Sequence, residues 1–350
     1  MKLKNYFVNT GIGSLPHKDE KKACETVFRE FQRIPFWPQL VNRSFLEDMI
    51  VQFSERMPGI ELDSEQKKLF VKRGPNIRKD IEELEERYSS DDLEYFSISE
   101  DYAAGFYEYL FRLKEYDLSE VDYLKGQITG PISFTFGVSD KGGIPLFFDK
   151  ELREAAVKTL TLRARWQAAR LKRIFRDIII FIDEPSLVFF KHSGDNSKIK
   201  KEELRAYINR VAEAIHTEGC FAGLHCCADC DWDFVLSTDV DIVNFDAYSY
   251  GAGFVKSHLS ISSFLERDGI LAWGMVPTTP DLTTENVDRL IIKLEEYIDQ
   301  LAAKGIGKEL ITRSSLITPS CGCGALDVKG AETVLGNCMK LSQYAQERFL

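Results

Sequence analysis

The sequence predicts a (β/α)8 barrel, an α/β TIM-type fold, with a helical insertion in an early βα loop. Three observations carry that expectation. Short β-rich runs alternate with long amphipathic stretches along the chain, the pattern of βα units around a parallel sheet. Runs such as DIIIFID (Asp177–Asp183) are almost continuously apolar, as suits strands covered on both faces. The polar and metal-competent residues gather just after those runs, at the end where barrel enzymes build their sites.

The elements follow in chain order. The first strand is expected at Phe7–Ile12, and a weaker candidate spans Pro35–Leu40. Asp122–Ile128, Asp177–Ile182, Cys220–Leu224, Asp241–Phe245, Ile270–Met275 and Leu310–Ile317 complete the set. Stretches such as KELREAAVKTLTLRARWQAARLKRIF (150–175) and KEELRAYINRVAEAIHTEG (201–219) place apolar residues at helical spacing between strands. Residues 55–120 break the alternation with the charged, aromatic run KDIEELEERYSSDDLEYFSISEDYAAGFYEYLF. They are read as the helical insertion, the plain alternative being a solvated cap without function. The whole of 1–350 is expected as one barrel domain.

Composition excludes several function classes. The formal net charge is −10, whereas a general nucleic-acid grip needs clustered Lys and Arg. MKLKNYFVNTGIGS has no secretory pattern, and no apolar run is long enough to span a bilayer. The cytoplasm is therefore the expected location. Eight cysteines in 350 residues are too few for a disulfide scaffold. Clustered as several of them are, they point to metal or catalysis.

The densest cluster is GLHCCADCDW (223–232). His225 and Cys227 alternate on an extended segment, so their side chains share a side. With Cys321 after the last expected strand they offer one nitrogen and two sulfurs, a set that suits Zn2+. Three protein ligands leave a fourth position for substrate, as in catalytic sites. Two alternatives stay open: a structural four-cysteine zinc from Cys227, Cys230, Cys321 and Cys323, or buried free thiols. The second is the reading for Cys24, Cys220 and Cys338.

Five motifs in order, GIGSLPH (11–17), ITGPISF (128–134), IDEPSL (182–187), LHCC (224–227) and TPSCG (318–322), resemble the cobalamin-independent methionine synthases. The likeness is to that family's C-terminal catalytic barrel, in a short single-barrel form. The wider group includes uroporphyrinogen decarboxylase and corrinoid-linked thiol methyltransferases.

The resemblance implies a zinc-dependent methyl transfer to a small thiol, most directly homocysteine in methionine biosynthesis. It implies zinc on His225, Cys227 and Cys321, with Asp246 standing where the family has a fourth ligand, a Glu. It assigns Asp183 to the substrate's amino group, and the backbone of Ile12, Gly13 and Ser14 to its carboxylate. Asp183 and Asp246 are thereby the catalytic carboxylates. Some positions depart from the family. Arg43, in QLVNRSFLEDM, replaces a Glu that binds the amino group and would favour a carboxylate or sulfonate. The folate-stacking Trp is replaced near Gly137, and the family's proton-donating His has no counterpart in VPTTPDL (276–282). These departures favour methylcobalamin, or a corrinoid protein carrying it, as methyl donor over a folate. A different acidic thiol is one alternative. A uroporphyrinogen-decarboxylase-like tetrapyrrole enzyme or carrier is another.

Overall fold

The apolar runs pair side by side. In the computed structural model, which describes residues 3–191, 199–279 and 285–349, the strands are β1 (Ile60–Asp63), β2 (Lys68–Val71), β3 (Leu124–Thr129), β4 (Ser139–Asp140), β5 (Ile178–Asp183), β6 (Phe221–Cys226), β7 (Ile242–Phe245), β8 (Ile270–Val276) and β9 (Ser315–Pro319). Six of them form one sheet, β3-β5-β6-β7-β8-β9, with every pair parallel. Apart from Phe221 at its edge, every residue of this sheet is buried. Helices Lys150–Lys172, Lys201–Thr217 and Val328–Phe349 cover its outer face. The architecture is TIM-like.

The first two expected strands do not form ladders. Phe7–Ile12 runs beside β9 through hydrogen bonds from the amides of Phe7 to Ser315 (2.7 Å), Ile317 to Val8 (3.0 Å) and Thr10 to Ile317 (3.0 Å). Pro35–Gln39 runs beside β3, where the Lys125 amide donates to the Pro35 carbonyl at 2.9 Å. The two segments meet through the Leu15 and Gln39 amides, donating to the carbonyls of Gln39 and Gly13. Only isolated bridges result, Asn9–Ile317, Ser14–Gln39 and Phe36–Lys125. Chemistry explains the shortfall: Pro35 and Pro38 have no N–H to give, and Phe7 adopts a positive φ of 54° that an extended strand does not accommodate. A second difference is at Leu310, which lies in the helix Lys308–Arg313. β9 starts only at Ser315.

The 55–120 region is less helical than expected. It opens as the antiparallel hairpin β1–β2, to which β4 adds in parallel. The helix Ile77–Ser89 follows. The next helix, Ala104–Arg112, is part of the barrel's own helical layer. Its Phe106 ring meets Trp37 edge-on at 5.6 Å, and its Tyr109 hydroxyl donates to the Pro35 carbonyl at 2.9 Å. Gly105 is required there, because a Cβ would stand 1.9 Å from the Pro38 carbonyl oxygen. No described helix is long and apolar enough to cross a membrane.

Candidate metal centre

His225 sits near the end of β6, Cys227 just beyond that end, and Cys321 two residues after β9. Their ligand atoms lie within 4.8 Å of one another, the one such group of three among the described residues. The ladder sets His225 level with Asp183 on β5 and Asn244 on β7.

Asn244 prepares the imidazole. Its amide nitrogen donates to the Ala272 carbonyl at 2.8 Å and to Thr318 Oγ1 at 2.7 Å. Only its oxygen is left for His225, and it meets Nδ1. The proton therefore belongs on Nδ1. Nε2, buried and without a hydrogen-bond partner, keeps its lone pair, which is how metal-bound histidines are oriented. An orphaned buried nitrogen beside two sulfurs fits Zn2+.

The electrostatics of the cluster favour negative charge on sulfur. The hydrogen bond from Cys321 lowers the Cys227 thiol to about 4, with burial opposing and His225 assisting. Burial works to lower the His225 imidazole, while the charges of Cys227 and Asp183 work to raise it. Cys321, donating to Cys227 from a buried position, is pushed upward.

A cavity of about 370 Å³ opens beside the cluster, walled by His225, Cys227, Cys321, Asp183, Ile12 and Ser14 among others. Asp183 is buried, and its Oδ1 has no partner. Burial pushes its carboxyl up to about 6 against the charges of His225 and Lys125. Gly13 stands behind this wall, and a Cβ on it would lie 2.7 Å from Gln127 Cδ. The motifs GSLPH and TPSCG pack directly together, since a Cβ at Gly322 would fall 2.0 Å from Ser14 Oγ.

Two expected site residues are placed otherwise. Arg43 is absent from the cavity wall. Its Nη1 donates to Glu47 Oε1 at 2.6 Å, with Glu20 at 3.9 Å. Glu47 is fully buried, so its carboxylate takes up the nearest guanidinium. Asp246 is outside the 4.8 Å group. It caps the helix Ala247–Phe254 by accepting from the Ser249 amide at 2.8 Å, a use that its short side chain favours. The other cysteines stay apart from the cluster. Cys230 and Cys323 are outside the 4.8 Å group, so among the described residues the four-cysteine arrangement does not form, and they are buried free thiols, as are Cys24, Cys220, Cys226 and Cys338.

Sequence reasoning missed Asn244, Glu184 and Lys125. Glu184, buried in IDEP, accepts from the Ile132 and Ser133 amides at 2.8 and 2.7 Å and so holds the helix of the GPISF motif. The available signal was a polar residue inside a strand, Asn in IVNF and a charged Lys in LKGQIT, because buried polar groups need partners. Of VPTTPDL, residues 280–282 lie outside the described residues.

No protein-family model and no curated protein matches the chain. Among solved structures, a B12-independent methionine synthase from Shewanella sp. W3-18-1, in complex with selenomethionine, is similar over 98% of this chain and 98% of its own. The TM-score is 0.61 at 12% sequence identity. The likeness is one of fold, along the whole length of both chains.

Proposed function

We propose that this chain is a zinc-dependent methyltransferase that moves a methyl group to a small thiol, homocysteine before others. One observation carries the reading: the unpartnered Nε2 of His225 converges with Cys227 and Cys321 at the wall of a cavity that also holds the unpartnered Oδ1 of Asp183. The motif resemblance and the fold likeness to a methionine synthase support it.

His225, Cys227 and Cys321 would hold the zinc. Bound there, zinc supplies the positive charge that keeps a substrate thiol deprotonated at neutral pH, where a free thiol is mostly protonated. The chain's own residues do the rest. Asn244 holds the proton on His225 Nδ1 and so aims Nε2. Asp183 offers a buried carboxylate oxygen to an ammonium, a charge-assisted bond that orients the acceptor. Ile12 and Ser14 add to the same wall. Such fixed placement converts encounter into reaction geometry. Asp246 caps its helix through one oxygen and lies outside the 4.8 Å group. With Arg43 engaged by Glu47, an acceptor bearing an amine is favoured over a purely acidic thiol.

For the donor we propose methylcobalamin or a corrinoid protein carrying it, on the sequence departures near Gly137 and in VPTTPDL. The test pairs elemental analysis with methyl transfer from methylcobalamin and from a methylfolate to several thiols. One zinc per chain and methylation of homocysteine from methylcobalamin are expected. A metal-free protein, or no transfer to any thiol from either donor, would overturn the reading.

A further inference from the structure

Lys125 lies on β3 with no exposed surface, a costly place for an ammonium. Its partners are unusual. Nζ donates to the Ile12 carbonyl at 2.6 Å and reaches Gln127 Oε1 at 3.4 Å. It also stands 4.4 Å from the Phe181 ring centroid and 5.6 Å from that of Phe36. Among the described residues it makes no ion pair.

The neighbouring Gly126 faces the outer layer, where a Cβ would approach Gln167 of the helix Lys150–Lys172. Alternation along the strand therefore turns Lys125 and Gln127 to the barrel interior. There Gln127 Nε2 donates to the Trp37 carbonyl at 3.0 Å. One strand thus sends two side chains to the carbonyls of the two segments that lack ladders. Ile12 is the last residue before the Gly13–Ser14 turn, and both Ile12 and Ser14 wall the cavity.

We propose that Lys125 is a positioning residue for the substrate pocket: with Gln127 it stands in for missing ladder hydrogen bonds and holds Ile12–Ser14 against the cavity. The inference rests on the proposed function, which makes that cavity the thiol site. Without the ammonium the Ile12 carbonyl loses its side-chain donor, and the turn keeps only backbone ties, its bridge to Gln39 and the hydrogen bond from the Cys323 amide to the Ser14 carbonyl (2.9 Å).

The experiment uses the full chain with Lys125→Met, which keeps length and removes charge and donor. Hydrogen exchange of the peptide covering Gly11–Pro16 should speed up while peptides of β6 and β7 stay protected. With homocysteine and methylcobalamin, KM for the thiol should rise about tenfold while kcat falls less than about threefold, since misplacement of the wall weakens binding first. Zinc should remain at one per chain. A folded Lys125→Met with unchanged exchange in the turn and unchanged KM overturns the proposal. If that variant does not fold, Gln127→Leu decides. Faster exchange at Phe36–Leu40 with a raised KM supports the proposal, and no change in either overturns it. Should the unaltered protein methylate no thiol, the functional reading fails, and the exchange data still judge the positioning by itself.

Discussion

The arc from β5 to β9 and the arc formed by Phe7–Ser14 and Pro35–Gln39 close the same ring by different means. On the first, neighbouring strands pair residue by residue, Ile182 with Leu224, Asp183 with His225, His225 with Asn244. On the second, three isolated bridges are supplemented by side chains reaching from β3. A ladder aims side chains through the pleat of the backbone, and a one-residue slip would turn every one of them to the wrong face. A bridged segment is aimed by whatever tethers it. The candidate metal donors sit on or just after strands of the laddered arc, and Ile12, Ser14 and Gln39 of the bridged one line the same cavity. On the proposed function, the contrast teaches a division of labour: regular pairing would fix the geometry a metal needs, and tethered turns would shape the space for the substrate.

The sharpest way to break that comparison is at the ligands. Cys227→Ser or Cys321→Ser should lower zinc affinity on the order of 100-fold or more, because a neutral hydroxyl poorly replaces thiolate. The fold should persist. Full zinc by elemental analysis of dialysed Cys321→Ser would remove that cysteine from the site.

Next comes the aim of the laddered arc. Asn244→Leu should weaken zinc about 10–100-fold in chelator competition. It should also cost roughly 1–3 kcal/mol of stability through orphaned buried groups. Zinc affinity equal to that of the parent would mean that the ladder alone orients His225.

Asp183→Asn then tests the substrate side. KM for homocysteine should rise about tenfold or more, since a charge-assisted bond to an ammonium contributes roughly 1.5–3 kcal/mol. Thiols without an amine should be unaffected. Equal losses on both kinds of thiol would assign Asp183 to the metal cluster rather than to the amine.

Arg43→Met should leave thiol kinetics alone and act on stability with a pH signature. Burial pushes the Glu47 carboxyl up to about 7, while Arg43 and the Leu40 amide pull it down. A folded pKa above the ordinary 4.5 means that Glu47 favours folding below pH 4.5 and that this contribution fades as pH rises through 7. Without Arg43 the ionised form loses its partner, so melting should fall more above that window than below it. An equal fall on both sides would show that the pair is not the cause. Asp246→Asn should do least. Asn caps helices about as well as Asp, so stability should change by a few tenths of a kcal/mol and zinc should stay. Loss of zinc would restore Asp246 as a ligand.

Much of this was legible before any coordinates. Short β-rich runs marked the six laddered strands, and DIIIFID was almost continuously apolar because a parallel strand buried on both faces has little choice of composition. The His225–Cys227 alternation and its convergence with Cys321 followed from strand periodicity and from the habit of barrels to gather their loops at one end. Asp183 fell at a strand end by the same logic, and the family resemblance of IDEP singled it out. All of these depend on local period and chain order, which a sequence displays directly.

What only the tertiary structure decided was which partner each polar side chain would take. Arg43 could have faced a substrate acid, but the buried Glu47 four residues on engages it. Asp246 was expected as a fourth ligand, and its Oδ1 is committed to the Ser249 amide. Lys125 and Gln127 had to wait for two distant turns to bring their carbonyls within reach. A sequence shows how many hydrogen bonds a side chain can make. Competition among neighbours 90 or more residues apart, or within one helical turn, determines which of them are made, and that is settled only when the chain is packed.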